Sequence, residues 1–326
     1  MTPLIQARGV ERRFDIPPPL LDRLRRRPGR VLRAVSGVDL VIARGETLGL
    51  IGESGCGKST LGRLLLRLHA PTAGQVIFDG QDITALPEPA LRPLRARMQI
   101  IFQDPYASLN PRRTVREILT LPLALHERRS AAEPRILAML DRVGLARAHL
   151  DRYPHQFSGG QRQRIGIARA LILRPDFVVC DEPVSALDVS VQAQVLALLR
   201  ELRDELGLTL LFISHDLAVV AHLAARICVM YLGRIVEEGP RDAVLQSPAH
   251  PYTRALLAAV PRIGAAPLAA RAAAGDLPSP LAPPPGCAFH PRCPSAGPRC
   301  SRQAPRLMDL GAGHQAACHL HDGGVL

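Results

Sequence analysis

Residues 52–59 combine glycines, a lysine and hydroxyl side chains in one short run. They read GESGCGKS and match the pattern G-x-x-x-x-G-K-[ST] at every fixed position. In this pattern backbone N–H groups surround a chain of phosphates, and the lysine ammonium reaches the phosphate oxygens. Lys58 is the only lysine in the chain, although lysine and arginine together number 41. Because a planar guanidinium would not fit between the phosphates, the lysine at this position favours a nucleotide site.

Two adjacent carboxylates, Asp181 and Glu182, follow a run of four apolar residues. Asp181 and the Ser59 hydroxyl are suited to bind Mg²⁺, which bridges β- and γ-phosphate oxygens. Glu182 is suited to polarise an attacking water. An isolated Asp-Glu pair is as often a helix cap or a turn, so the prediction depends on the phosphate loop beside it.

The elements that must position these residues alternate between strand and helix. The patterns predict strands at 47–51, 75–78, 98–102, 177–180 and 208–213, and helices at 59–69 and 189–207. This alternation predicts an α/β core with a largely parallel sheet. Ligands of such sheets bind beyond the carboxyl ends of the strands, which is where Gly52, Gln103, Asp181 and His215 fall.

The remaining segments are assigned more coarsely. Residues 4–14 are predicted to form an edge strand, and the proline- and arginine-rich residues 17–28 an exposed basic loop, either solvated or in contact with a membrane or partner. Residues 114–174 are helical in pattern, with breaks expected at Pro122, Pro134 and Pro154.

Composition limits the classes of function. The formal net charge is +12, but aromatic residues are 3% of the chain and tryptophan is absent, which disfavours the stacking surfaces of single-strand nucleic-acid binders. Residues 1–8 lack the apolar run of a secretory signal, and the apolar stretch 217–232 is too short and too polar to span a membrane. The chain is therefore expected to be soluble.

Residues 158–161, Ser-Gly-Gly-Gln, form a glycine turn that opens a helix and is able to receive a phosphate. Taken with the phosphate loop, Gln103, 177–182, 185–188 and His215, this set resembles the ATP-binding subunit of an ABC transporter over residues 4–255. The resemblance implies a P-loop NTPase (RecA-like) ABC cassette with an antiparallel β subdomain, a helical subdomain and a small cysteine-containing C-terminal extension. It also implies a head-to-tail dimer in which residues 158–161 of one subunit clamp the nucleotide held by the other.

The same resemblance assigns roles to single residues. Phe14 stacks on adenine in place of the more usual tyrosine, Asp188 is a loop acid that crosses the dimer, and His215 contacts the γ-phosphate. The implied nucleotide contacts are Phe14, Gly52, Ser54, Gly55, Cys56, Gly57, Lys58, Ser59, Thr60, Ser158, Gly159, Gly160, Gln161 and Asp188. The implied catalytic residues are Glu182, His215 and Gln103, and the implied Mg²⁺ ligands are Ser59, Gln103 and Asp181.

Residues 104–112, 153–155, 184–194 and 250–253 narrow the resemblance to the oligopeptide/dipeptide importer branch. It implies an ATPase that works with a second, related ATPase subunit, two membrane permease subunits and a peptide-binding protein, at the cytoplasmic face of the inner membrane and without nucleic acid. Glutathione and nickel-chelate importers share these motifs, and an exporter motor or an ATPase acting on nucleic acid or ribosomes shares the phosphate motifs. The domains expected are 1–255, with a helical insert at about 107–174, and 256–326.

Four cysteines crowd the C-terminal region at positions 287, 293, 300 and 318, after an alanine- and proline-rich linker at 264–286. Four thiolates in a loop-rich segment favour a soft metal centre, and disulfides are disfavoured in the cytosol. The spacing lacks the paired C-x2-C of zinc sites. It resembles the cysteine tail of peptide-importer ATPases, which implies a 4Fe-4S cluster held by Cys287, Cys293, Cys300 and Cys318, with zinc or free thiols as the alternatives.

Overall fold

The computed structural model describes residues 2–18, 29–126, 132–259 and 278–322, and within them the strands form two sheets. The strands are β1 Pro3–Ile16, β2 Arg30–Ala43, β3 Thr47–Ile51, β4 Ala73–Phe78, β5 Gln81–Asp82, β6 Met98–Ile101, β7 Phe177–Asp181, β8 Thr209–Ser214, β9 Arg226–Tyr231, β10 Arg234–Pro240, β11 Met308–Asp309 and β12 Gln315–Ala316. The α-helices are α1 Lys58–Leu65, α2 Glu88–Arg97, α3 Pro105–Ser108, α4 Val115–His126, α5 Ala132–Arg142, α6 Gly159–Leu171, α7 Val189–Leu206, α8 Leu217–Leu223, α9 Arg241–Gln246 and α10 Pro251–Ala258.

The larger sheet carries the predicted α/β core. Its order is β11-β12-β10-β9-β3-β8-β7-β6, and the five strands from β9 to β6 are parallel. Strands β3, β7 and β8 are buried at every residue, as expected for short apolar strands covered on both faces. This confirms the fold class, and the antiparallel strands β10, β12 and β11 extend the sheet beyond its parallel part.

The smaller sheet is antiparallel, with the order β2-β1-β4-β5. Strand β1 pairs with β2 on one side and with β4 on the other, so the prediction of an edge strand at residues 4–14 is wrong. Apolar alternation reports which face of a strand is buried, but it carries no information on the number of neighbouring strands. One core cluster joins this sheet to α1 and the parallel sheet, through Ile5, Leu50 and Leu61.

The helical region predicted at residues 114–174 contains α4 to α6, but the break predicted at Pro122 does not occur. Pro122 lies inside α4 instead of ending it. A proline in a helix interior removes one backbone hydrogen bond, and the helix continues here because Ile118, Leu119 and Leu123 bury its apolar face. Pro134 lies near the start of α5, where proline is tolerated, and Pro154 starts a 3₁₀ turn, Pro154–Gln156.

The C-terminal segment, residues 278–322, joins the core through buried polar contacts. Strand β12 pairs with β10, which places Ala316 opposite Glu237. The fully buried Glu237 carboxylate accepts hydrogen bonds from the N–H groups of Ala249 (2.7 Å) and His250 (2.9 Å) and lies 2.8 Å from His314 Nε2. A buried carboxylate is stable only with such partners, so these contacts fix the segment to the sheet.

Some predictions concern segments that fall partly or wholly outside the described residues. The basic loop falls mainly on residues 19–28, and the linker at 264–286 mainly on residues 260–277. The apolar stretch 217–232 divides between α8 and β9. Within the described ranges, no helix has the length and apolar character needed to cross a membrane.

Close packing of β3 against α8 generates a stability prediction. A Cβ atom on Gly49 would lie 2.2 Å from Val220 Cγ1 and 3.0 Å from Ala224 Cβ. We therefore expect Gly49→Ala to lower the free energy of unfolding by about 1–3 kcal/mol, measured by urea denaturation.

Gly166→Ala is the matched control, because Gly166 lies in helix α6 and a Cβ atom there would meet nothing within 4 Å. Alanine is the better helix former, so this variant is expected to gain about 0.5–1 kcal/mol. Equal losses in both variants would contradict the packing explanation.

Candidate active site

A cavity of about 370 Å³ opens at the carboxyl edge of the parallel strands. It lies beyond the ends of β3, β6 and β7, where parallel strands in register bring their following loops together. The lining residues are Phe14, Leu32, Ala34, Ser54, Gly55, Gly57, Lys58, Ser59, Thr60, Gln103, Glu182 and Pro280. The phosphate loop, two predicted catalytic residues and Phe14 therefore share one cavity.

Lys58 is held at the base of the cavity. Its side chain is 4% exposed, and its ammonium donates to the carbonyl oxygens of Gly52 (2.8 Å) and Glu53 (3.1 Å). The ammonium lies 4.0 Å from Glu182 Oε1. A buried cation needs such acceptors, and the same acceptors keep it beside the space that the loop encloses.

The backbone of the loop depends on glycine at Gly57. This residue has φ +108°, and a Cβ atom would lie 2.2 Å from the Ala34 carbonyl oxygen. Cys56, which precedes it, is buried and does not line the cavity described above. Burial raises the pKa of the Cys56 thiol, which keeps it protonated at neutral pH. The structure therefore places Cys56 in the packing of the loop.

Asp181 ends β7 beside the first turn of α1. The Ser59 hydroxyl donates to Asp181 Oδ1 at 2.6 Å, and the Arg63 guanidinium lies 3.8 Å from Oδ2. Burial raises the pKa of the Asp181 carboxyl, because the charged form loses solvation. A desolvated carboxylate next to a hydroxyl is a suitable oxygen donor set for Mg²⁺, so these residues fit the predicted ion.

The Glu182 carboxylate contacts two other polar side chains of the site. Gln103 Nε2 donates to Glu182 Oε2 at 3.0 Å, and His215 Nδ1 lies 3.2 Å from the same oxygen. The Glu182 side chain is 12% exposed, and its backbone is left-handed with φ +47°. Left-handed backbone is uncommon outside glycine and concentrates at functional sites.

Two of the predicted motifs contribute no residue to the lining of this cavity. Residues 158–161 start helix α6 with a capping box, in which Ser158 Oγ accepts from the Gln161 N–H (3.3 Å) and Gln161 Oε1 accepts from the Ser158 N–H (3.1 Å). Asp188 precedes α7 and is exposed. Among the described residues that line the cavity, none belongs to either motif.

Sequence reasoning missed four residues around the loop. Leu32, Ala34 and Pro280 line the cavity, and the Tyr252 hydroxyl accepts the Glu53 N–H at 2.8 Å. Tyr252 lies in the run 250–253, whose pattern was a signal for its importance. The other three carry no local signal, because chain folding alone brings them to the cavity.

The prediction of a metal centre at the cysteines is wrong. Across the described ranges, which include all four cysteines, no group of three or more His, Cys, Asp or Glu residues is arranged to hold a metal ion. Burial raises the pKa of Cys287 to about 11 and also raises the pKa values of Cys293 and Cys318. Neither a 4Fe-4S cluster nor zinc is supported.

Two family models match the chain. Residues 35–185 match the model described as ABC transporter, and residues 236–300 match the model described as oligopeptide/dipeptide transporter, C-terminal region. The first range contains the phosphate loop, Gln103, Asp181 and Glu182, and the second contains Tyr252 and Arg292.

Similar proteins extend over nearly the whole chain. The oligopeptide transport ATP-binding protein AppF of Bacillus subtilis is 49% identical, over 98% of this chain and 97% of its own length. The dipeptide transport ATP-binding protein DppF of Escherichia coli is also 49% identical, over 98% of this chain and 95% of its own length. A solved structure of the ATP-binding cassette MJ0796, a dimer bound to ADP and Pi, is similar with a TM-score of 0.64 and 28% identity, over 73% of this chain and 98% of that one.

The burial of Asp181 generates a pH-dependent prediction. A carboxyl whose pKa is raised on folding binds protons more readily in the folded state, so its ionisation lowers stability as pH rises above the unfolded pKa of about 3.9. We expect Asp181→Asn to raise the melting temperature at pH 7 relative to wild type. The difference shrinks as pH falls toward the ordinary carboxyl range, measured by thermal denaturation across pH.

Asp82→Asn is the control with the opposite sign. The hydrogen bond from Thr84 lowers the pKa of Asp82, so ionisation of Asp82 favours the folded state at neutral pH. This variant is expected to melt slightly below wild type at pH 7. A lower melting temperature for Asp181→Asn would contradict the assignment of burial as the dominant effect.

Proposed function

This chain belongs to the family of ABC transporter ATP-binding proteins, in its oligopeptide/dipeptide branch, and we propose that it is the ATP-hydrolysing subunit of an importer for dipeptides or oligopeptides. The observation that carries the hydrolytic part is the Glu182 carboxylate, which contacts Gln103 and His215 inside the phosphate-loop cavity. The match of residues 236–300 supports peptide transport over an ATPase that acts on nucleic acid.

The proposed ATP site uses the phosphate loop and its neighbours. Phe14 stacks on the adenine, and the Lys58 ammonium moves from the carbonyls of Gly52 and Glu53 to the β- and γ-phosphate oxygens. Ser59, Asp181 and Gln103 hold Mg²⁺. When bound, this ion neutralises charge on the phosphate oxygens. The loop N–H groups and the hydroxyls of Ser54 and Thr60 complete the contacts that bind the phosphates.

Hydrolysis is assigned to the polar cluster around Glu182. The Glu182 carboxylate accepts a proton from the attacking water, while the Gln103 amide holds this carboxylate in place. His215, at the end of β8, is 52% exposed and therefore free to turn toward the γ-phosphate. Gln103, Glu182 and His215 are proposed to surround the γ-phosphate position. Groups held in this way accelerate the reaction because they orient the attacking water and the phosphate.

The second half of each site is proposed to come from another ATPase subunit. Residues 158–161 open helix α6, and the N–H groups at its start can receive a γ-phosphate. These residues do not line the cavity of their own chain, which fits a head-to-tail dimer in which they clamp the nucleotide of the partner and Asp188 crosses the interface. The similar cassette MJ0796 forms a dimer bound to ADP and Pi, which supports a dimer for this chain.

The proposed assembly includes two permease subunits and a peptide-binding protein, with this chain peripheral at the cytoplasmic face of the inner membrane and without nucleic acid. Exposed residues after Gln103 support a permease contact, because Tyr106 is 64% exposed and the Arg162 guanidinium lies 3.7 Å above its ring. We assign residues 1–255 to the ATP-binding domain, with 107–174 as its helical insert, and residues 256–326 to the extension.

Glu182→Gln tests the assignment of the base. The amide keeps the shape of the side chain but does not accept the proton of water, so ATP turnover is expected to fall by about 10²–10⁴-fold while ATP binding persists. Turnover is measured as phosphate release by the purified chain with ATP and Mg²⁺. Binding is measured by equilibrium titration, and trapping of a dimer by light scattering.

The matched control is Glu88→Gln, which neutralises a carboxylate that is 69% exposed on α2 and lies outside the cavity lining. Its turnover should equal that of wild type. Wild-type turnover in Glu182→Gln would refute the proposed base.

Uptake of labelled peptides tests the cargo. Deletion of the gene is expected to abolish uptake of labelled dipeptides or oligopeptides by cells, with free amino-acid uptake unchanged as the control. Wild-type complementation should restore peptide uptake, and the Glu182→Gln allele should not, because the ATP-driven step is lost. Full peptide uptake in the deletion strain together with loss of uptake of glutathione or a nickel chelate would reassign the cargo.

A further inference from the structure

Glu53 occupies a position in the phosphate loop that the motif leaves free. In G-x-x-x-x-G-K-[ST] it is the first variable residue, so the general function of the loop does not require a carboxylate here. A negative charge in a loop that binds polyphosphate is unfavourable unless a cation balances it. The identity of Glu53 therefore needs a reason outside the motif.

All three polar groups of Glu53 are bound. Its carbonyl oxygen accepts from the Lys58 ammonium at 3.1 Å, and its N–H donates to the Tyr252 hydroxyl at 2.8 Å. Its carboxylate accepts two hydrogen bonds from Arg292, each 2.9 Å long. One residue thus connects the lysine of the loop to a side chain 239 positions later.

The Arg292–Glu53 pair is enclosed in the protein. The Arg292 side chain is 10% exposed and that of Glu53 is 28% exposed. The centre of the guanidinium lies 5.9 Å from the ring centroids of Tyr231 and Phe289, which are fully buried or nearly so. A bidentate ion pair between a guanidinium and a carboxylate in such surroundings fixes both side chains in one geometry.

We infer that Arg292 is a positioning residue of the nucleotide site, which holds Glu53 in place and balances its charge. The inference rests on the proposed function of the phosphate loop. It makes the C-terminal extension part of the ATP site, and Pro280, which lines the cavity, belongs to the same extension. Movements of the extension would then alter nucleotide affinity through Glu53 and Lys58.

Loss of the cation and loss of the carboxylate are expected to change the affinity for ATP in opposite directions. Arg292→Gln leaves the Glu53 carboxylate of the phosphate loop without its counterion, and we expect the Kd for ATP to rise about tenfold. Glu53→Gln leaves the Arg292 cation next to the phosphate loop without a balancing charge, and we expect the Kd to fall about threefold. A purely structural pair would weaken ATP binding in both variants, because either change breaks the same contact.

Two further variants complete the cycle. The double variant Glu53→Gln/Arg292→Gln removes both charges and is expected to return the Kd to within about threefold of wild type. Arg292→Lys keeps the positive charge but cannot form the bidentate contact with Glu53, so its Kd should lie between those of wild type and Arg292→Gln. Each Kd is measured on the full chain with ATP, below the melting temperature of each variant. The kcat at saturating ATP should change less than KM.

Lys58→Ala separates failure of this inference from failure of the proposed function. If Lys58→Ala loses ATP binding while Arg292→Gln binds like wild type, the ATP site stands and the role of Arg292 is refuted. Equal weakening in Arg292→Gln and Glu53→Gln refutes the charge-balancing role, because the pair then acts only through the contact that holds Glu53. If Lys58→Ala binds ATP like wild type, the proposed ATP site itself fails, and the inference fails with it.

Discussion

The register of the parallel strands is the constraint on which the site depends. Strand β3 pairs with β8 so that Ile51 lies opposite Ser214, and β7 pairs with β8 so that Asp181 lies opposite Ile213. Strands that run in one direction and end together deliver their following residues to one edge of the sheet. A shift of one residue in this register would turn the buried side chains of a strand to the opposite face and separate the carboxylates from the phosphate loop.

The site concentrates charge in a place where solvation is poor. Lys58 and Asp181 are both buried, and hydrogen bonds replace the water that each has lost. Burial makes ionisation of Asp181 costly, which is acceptable at a position suited to a divalent cation. The ionised Asp181 carboxylate therefore lowers the stability of the folded chain while it favours binding of a divalent cation. Such opposition is common where chemistry needs a desolvated charge.

Two carboxylates of the ATP-binding core bind side chains of the C-terminal segment. Glu237 holds His314 and the loop before α10, and Glu53 holds Arg292. Glu237 and Glu53 belong to the core. Their partners His314 and Arg292 belong to the C-terminal segment. The four cysteines lie in this same segment, where the thiols pack as small, largely buried side chains. Its contribution to the structure is therefore the anchoring of the core and of the phosphate loop.

The phosphate loop, the Asp181-Glu182 pair and the order of strands and helices were determined by the sequence alone, because these depend on local spacing and apolar pattern. The central place of β1, the continuation of α4 through Pro122 and the arrangement of the cysteines were predicted wrongly, since each depends on neighbours distant in sequence. Only the tertiary structure placed Arg292 against Glu53, since a contact between residues 239 positions apart exists only after the elements between them have packed.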